Sequence, residues 1–163
     1  MNTLNLRYSN CISVIKKGKS APKHTVRRSK YSRKAGLAPG TVAYLGEQRS
    51  FQISAELIRY HAGNINLEPR IPIERIQFQP ENEEVFWYHV TGVHEPAIIE
   101  QIGRQINLHA LAMEDIVHTE QRPKIDDYEE YLYVVVKMMD FDETQLCITT
   151  EQLSMVLCGN TLI

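Results

Sequence analysis

Cysteine is scarce: the 163 residues contain three, Cys11, Cys147 and Cys158. An odd number without Cys-x-x-Cys spacing argues against a disulfide framework and a cysteine zinc site, and predicts free thiols in a reducing, cytosolic compartment. Long apolar runs are also missing. The strongest, Tyr131 to Met139, is short and interrupted by Lys137, against the roughly 20 residues a spanning helix needs, so the residues as given are expected to be soluble. No Gly-x-Gly-x-x-Gly, phosphate loop or nucleophile elbow occurs, which removes the usual signatures of nucleotide-binding and hydrolytic folds. His94-Glu95 is not a zincin helix, because Ile98 stands where the second histidine belongs. The loop opening at Asp140 and Asp142, with Glu151 in twelfth position, lacks the glycine a calcium loop requires, Gln145 standing there instead.

The first 34 residues lack acidic side chains altogether. They hold ten Lys and Arg, so all 20 carboxylates fall after Lys34 with the other eight basic residues. A tail of charge +10 thus shares a chain with a body of charge −12, and the formal total is only −2. Residues 1–35 show no sustained apolar period after Ile15 and read as a basic, disordered tail. Such a segment can touch anionic lipid, nucleic acid or its own acidic domain, and it also resembles a presequence; no specific nucleic-acid partner is expected. With 43% hydrophobic and 23% charged residues, the chain as a whole has the composition of a globular protein, and residues 36–163 read as one domain.

That domain opens at the turn Gly36-Leu37-Ala38-Pro39-Gly40, followed by a short strand from Thr41 to Leu45. Phe51 to Tyr60 and Ile65 to Ile71 are expected strands around a turn at Ala62-Gly63-Asn64, with Pro69 marking an edge. Ile73 to Phe78 reads as a helical turn, and Val85 to Val90 as a β-branched and aromatic strand ended by Thr91-Gly92. Pro96 then starts a helix with Ile98, Ile99, Ile102 and Ile106 in one stripe, broken at Asn107.

A second helix follows from Leu108, expected to run until Arg122-Pro123, since the residue before proline is pushed out of the helical region. On a helical wheel Leu108, Ala112, Met113, Ile116 and Val117 share the apolar face, with Glu114 and His118 opposite. Asp115 falls at the border, where a partly desolvated carboxylate calls for a donor, a cation or a partner surface. The simpler reading pairs Glu114 with His118 at i and i+4 and gives Asp115 a local salt bridge. Asp126, Asp127, Glu129 and Glu130 precede a strand from Tyr128 to Met139, apolar on both faces. An acidic turn from Asp140 to Gln145 leads to a partner strand, Cys147 to Leu157, and Gly159 to Ile163 looks like the start of another. Strand pairs at both ends with two helices between predict an α/β (α+β) fold: a mixed β-sheet sandwiched by helices (αβα), in a single domain.

Val85 to Leu157 resembles the cytoplasmic domain of the CorA family of divalent-cation transporters. The resemblance rests on Trp87 before Gly92, Leu111-Ala112-Met113-Glu114-Asp115-Ile116, Gln121-Arg122-Pro123-Lys124, Tyr128-Glu129-Glu130-Tyr131 and Glu151-Gln152-Leu153-Ser154. Gly40-Thr41 with Gly46 fits more weakly, and residues 1–35 match nothing in the family. The chain departs from the pattern at Ala110, where proline is usual, and at Tyr88-His89, where an aliphatic and then a small polar or acidic residue are common.

The resemblance implies a homopentamer in the inner membrane with this domain on the cytoplasmic side. A stalk and two membrane helices carrying a Gly-Met-Asn signature would lie beyond Ile163, and residues 1–163 alone would be monomeric. It further implies a regulatory domain in which Mg²⁺, the sensed and transported ion, bridges subunits through Asp115 first and Glu114 second and so favours the closed state. Co²⁺ or Zn²⁺ could replace Mg²⁺, and a Zn²⁺-transporting member is the alternative within the family. The competing class, a metal-dependent α/β hydrolase-like enzyme, lacks a nucleophile and a histidine-assisted base, so the chain is not expected to be an enzyme.

Overall fold

The computed structural model describes residues 12–13, 36, 38–44, 50–79, 83–144 and 146–163. Among them, eight strands form one sheet and two α-helices pack on it. The strands are β1 (Ile12–Ser13), β2 (Ser54–His61), β3 (Asn64–Ile71), β4 (Val85–Thr91), β5 (Lys124–Asp127), β6 (Leu132–Asp142), β7 (Cys147–Cys158) and β8 (Thr161–Leu162), with α1 (Pro96–Gln105) and α2 (Ala110–Val117) between β4 and β5. Their order across the sheet is β3-β2-β4-β8-β7-β6-β5, with β1 paired to β7 off this path. Only the β4–β8 pair among these is parallel, so the sheet is mixed, as expected. The chain leaves β4, makes both helices, builds β5 to β7 as a meander and returns to insert β8 beside β4.

Alternation along the strands decides which face the helices cover. Ala55 and Leu57 of β2, Phe86 and Tyr88 of β4, Tyr133 and Val135 of β6 and Val156 of β7 join Ile102 of α1, its C-cap Ile106, and Leu108 and Ala112 in one core. Tyr133 and Ala112 are fully buried. The helices cross closely because Gly103 of α1 has no side chain: a Cβ there would lie 2.1 Å from Met113 Sδ. On the opposite face Ile58, Trp87, Leu162, Leu157 and Leu132 are successive cross-strand partners. This row stays partly open, Trp87 being 40% exposed.

Element boundaries differ from expectation in informative places. Residues 41–44 are irregular where a strand is expected, and Leu45 lies outside the described residues. Helix α2 ends at Val117, well before Arg122-Pro123, because His118 takes the C-cap position and Gln121 N–H turns back to its carbonyl at 3.2 Å. The single strand expected from Tyr128 is a hairpin: Lys124 to Asp127 pair antiparallel with Leu132 to Val135. Glu129 makes the turn at φ 66°. Asn107 breaks the two helices at φ 54°, as expected. Cys147 is disulfide-bonded, which overturns the expectation of uniformly reduced thiols; Cys158 is free. Apart from Ile12 and Ser13, the expected basic tail lies outside the described residues.

Candidate functional site

Helix α2 carries the two acidic residues singled out from sequence, and its start is fixed by tyrosines. His109 is the N-cap, its Nδ1 accepting from Leu111 N–H at 3.2 Å, while its own N–H donates to the Tyr131 hydroxyl at 2.9 Å. Tyr131 stacks on Tyr128 with ring centroids 5.0 Å apart. The Tyr128-Glu129-Glu130-Tyr131 motif thereby anchors the helix on the β5–β6 turn. Within that turn Asp127 Oδ1 accepts from Glu129 N–H at 2.9 Å, and Glu130 accepts from the Asn107 amide at 3.4 Å. These acidic residues shape a turn.

The wheel puts Glu114 toward open solvent, but the loop before β2 covers it: Gly40 N–H donates to Glu114 Oε2 at 2.7 Å. Gly40 is needed there twice over, for φ 82° and because a Cβ would stand 3.0 Å from Ala110 Cβ. His118, expected to face Glu114, has its Nδ1 3.0 Å from the Gln121 amide nitrogen.

Asp115 occupies the border position read from the wheel and is held on both carboxylate oxygens. Gln121 Nε2 donates to Oδ1, and Lys124 Nζ donates to Oδ2 at 2.6 Å. The same ammonium donates to Asp126 Oδ2 at 2.5 Å. Side-chain exposures are 19% for Asp115 and 30% for Lys124, so the pair is desolvated in part. Burial alone would lower the Lys124 pKa, but the hydrogen bonds to Asp115 and Asp126 outweigh it and hold the ammonium above its ordinary value. The ammonium also stands 5.4 Å from the centre of the Tyr133 ring.

Sheet register explains why these groups meet. Lys124 is opposite Val135 and Asp126 opposite Tyr133, both core residues, so both side chains point to the helix-bearing face. Lys137 and Gln152, opposite each other on β6 and β7, continue that face. Gln152 Oε1 accepts from Gln121 N–H and from Lys137 Nζ, each at 3.1 Å, and Lys137 Nζ also donates to the Thr119 carbonyl at 2.9 Å. Partial burial lowers the Lys137 pKa. Four polar residues from β5, β6, β7 and the α2–β5 loop therefore frame Asp115. Sequence reasoning named Gln121, Lys124 and Gln152 as motif letters and gave them no role; their signal lay in the motifs, and their meeting depends on pairing across the sheet.

A hard divalent cation such as Mg²⁺ wants carboxylate oxygens and keeps several waters, and the donors here fit that preference. Two carboxylates, Asp115 and Asp126, already converge on one positive charge. Among the described residues no group of three or more His, Cys, Asp or Glu is placed to enclose a metal ion. His94 Nε2 is 3.0 Å from the Phe51 carbonyl oxygen, and Asp142 Oδ1 accepts from Thr144 N–H at 2.8 Å in a turn. No helix among the described residues is long and apolar enough to cross a membrane.

A family model described as CorA-like Mg²⁺ transporter protein matches residues 82–163. The cobalt/magnesium transport protein CorA of Thermotoga maritima is 29% identical over 139 residues, 85% of this chain and 39% of that protein. The chain thus spans well under half the length of this relative. The solved soluble domain of CorA from Methanocaldococcus jannaschii aligns with a TM-score of 0.40 and 14% identity over 65% of this chain and 38% of that one. The match of the family model across β4, both helices and β5 to β8 identifies the chain as a member of the CorA-like Mg²⁺ transporter family.

Proposed function

We propose that residues 36–163 form the cytoplasmic, metal-sensing domain of a divalent-cation transporter, continued by a stalk and membrane helices and assembled as a pentamer in the inner membrane. The observation that supports this reading best is the state of Asp115: a partly desolvated carboxylate at the edge of α2, already seated on a positive charge. Asp115 is the leading candidate ligand. Glu114 is the second, and one oxygen of its carboxylate accepts from Gly40 N–H. A partly hydrated Mg²⁺ held on one side by Asp115 needs carboxylates from a neighbouring subunit, so its occupancy favours whichever packing brings those groups together. Loss of the ion removes that bias and lets the subunits part. Co²⁺ has similar needs, and transport of Co²⁺ or Mg²⁺ is what the relative's name records for that protein.

The test is Mg²⁺ protection of the intact protein against limited proteolysis, wild type against Asp115→Asn. The amide keeps size and one acceptor but removes the charge, so the variant should need at least about tenfold more Mg²⁺ for protection, a difference of roughly 1.4 kcal/mol in binding. Equal protection at the same Mg²⁺ concentration would remove Asp115 from the sensing role.

A further inference from the structure

We infer that Lys124 is a tethered competitor of the divalent cation at Asp115, and that Asp126 receives its ammonium when the cation binds. The inference rests on the reading of Asp115 as a cation ligand and adds the element that sets the concentration at which the ion takes hold. Both oxygens of Asp115 are engaged from within the chain, Oδ1 by Gln121 and Oδ2 by Lys124. A hydrated dication cannot accept hydrogen bonds from an ammonium, and like charges at such range repel. Entry of the ion at Oδ2 therefore requires Lys124 to leave.

The geometry provides somewhere for it to go. Lys124 Nζ is 2.5 Å from Asp126 Oδ2 at the same time as it is 2.6 Å from Asp115 Oδ2. Release from Asp115 thus leaves the ammonium paired rather than stranded in a partly buried place. Lys124 and Asp126 are two apart on β5 and share the helix-bearing face, so a rotation of the lysine side chain suffices and no backbone has to move. Gln121 is a neutral donor on a side chain that also meets His118, and it can turn its amide without leaving a charge behind.

An intramolecular competitor reduces apparent affinity by the fraction of time it leaves the ligand free. A carboxylate released about a tenth of the time would bind its ion about tenfold more weakly than a bare one, which suits a sensor answering to abundant rather than trace cation.

The experiment titrates the intact protein with Mg²⁺ alone, reading protection against limited proteolysis, for wild type, Lys124→Met, Lys124→Gln, Lys124→Arg, Asp126→Asn and Asp115→Asn. Removing the ammonium, in Lys124→Met and Lys124→Gln, should shift the midpoint to about tenfold less Mg²⁺. Lys124→Arg keeps a charge and should stay near wild type. Asp126→Asn takes away the alternative partner and should raise the midpoint, an effect that vanishes in the Lys124→Gln background. A merely structural lysine gives the opposite pattern, in which Lys124→Met and Lys124→Gln need the same or more Mg²⁺, and that result overturns the inference. Should Lys124→Met fail to fold, as judged by metal-free circular dichroism, Lys124→Gln decides. Asp115→Asn separates the two claims: if it titrates like wild type, the ligand assignment itself fails, whereas if it loses protection while Lys124→Gln does not tighten binding, only the competitor fails.

Discussion

The Asp115–Lys124 pair makes a quantitative prediction about stability that needs no metal. Its contact is short, at 2.6 Å, and both side chains are shielded in part, at 19% and 30% exposure. Fully exposed pairs contribute about 0.2–1 kcal/mol, and breaking a buried pair costs about 3–5 kcal/mol. Here solvent still reaches both groups and Asp126 keeps hold of the ammonium when Asp115 is changed, so the coupling should be about 1–2 kcal/mol, near the lower of those limits. The assay is a double-mutant cycle of Asp115→Asn and Lys124→Met by urea unfolding in chelator, with the midpoint and slope both recorded. Asp115→Asn alone should cost about 1 kcal/mol, or about 2–4 °C in Tm for a chain of this size, since the amide oxygen can still accept from Gln121. Raising salt to 1 M should weaken the coupling without abolishing it, because screening acts least on shielded pairs. The pH dependence has a fixed sign. The Lys124 pKa is raised in the folded state, so its stabilising effect is complete below about pH 10.5 and fades only as pH climbs through the higher folded value. Between pH 6 and 9 the ammonium therefore contributes no slope. A coupling below about 0.3 kcal/mol, the usual error of additivity, would show that the contact adds nothing, and the structural reasoning about the site would fall with it.

Two further outcomes follow from packing. Burial pushes the Tyr133 hydroxyl up to about 12, only partly offset by its contact with Ser154 Oγ at 3.3 Å. An unfolded tyrosine titrates near 10, so the folded protein should lose stability progressively as pH rises from about 10 to 12, and Tyr133→Phe should flatten that alkaline limb in denaturant melts while costing about 1 kcal/mol at neutral pH. Gly103→Ala should destabilise by about 1–3 kcal/mol despite alanine's better helix propensity, because the new Cβ collides with Met113; an unchanged or raised Tm would show that Met113 swings aside freely.

Local chemistry was readable from the sequence where short-range rules govern. Pro96 at the first turn of α1, the break at Asn107, the turn at Gly63 and the strands β2, β3, β4 and β7 all follow from backbone preferences and side-chain type. So did the border position of Asp115 on α2, since a wheel needs only the helix. Pro123 is a sufficient reason for a helix to stop, yet α2 ends earlier because His118 and Gln121 close it by a turn that no propensity announces. The β5–β6 hairpin is hidden in the sequence for a related reason: its acidic start resembles a solvated lead-in, and only pairing places Lys124 and Asp126 opposite Val135 and Tyr133.

What the sequence by itself determined was the composition of the site, a carboxylate on a helix edge beside a Gln-Arg-Pro-Lys run, and the family whose pattern those letters follow. What only the tertiary structure decided was who holds whom. Lys124 reaches Asp115 across nine residues, Gln152 reaches Gln121 across 31, and Gly40 covers Glu114 from 74 residues away. Such contacts are set by strand register and by the close crossing of helices at Gly103, which depend on the shape of the whole core.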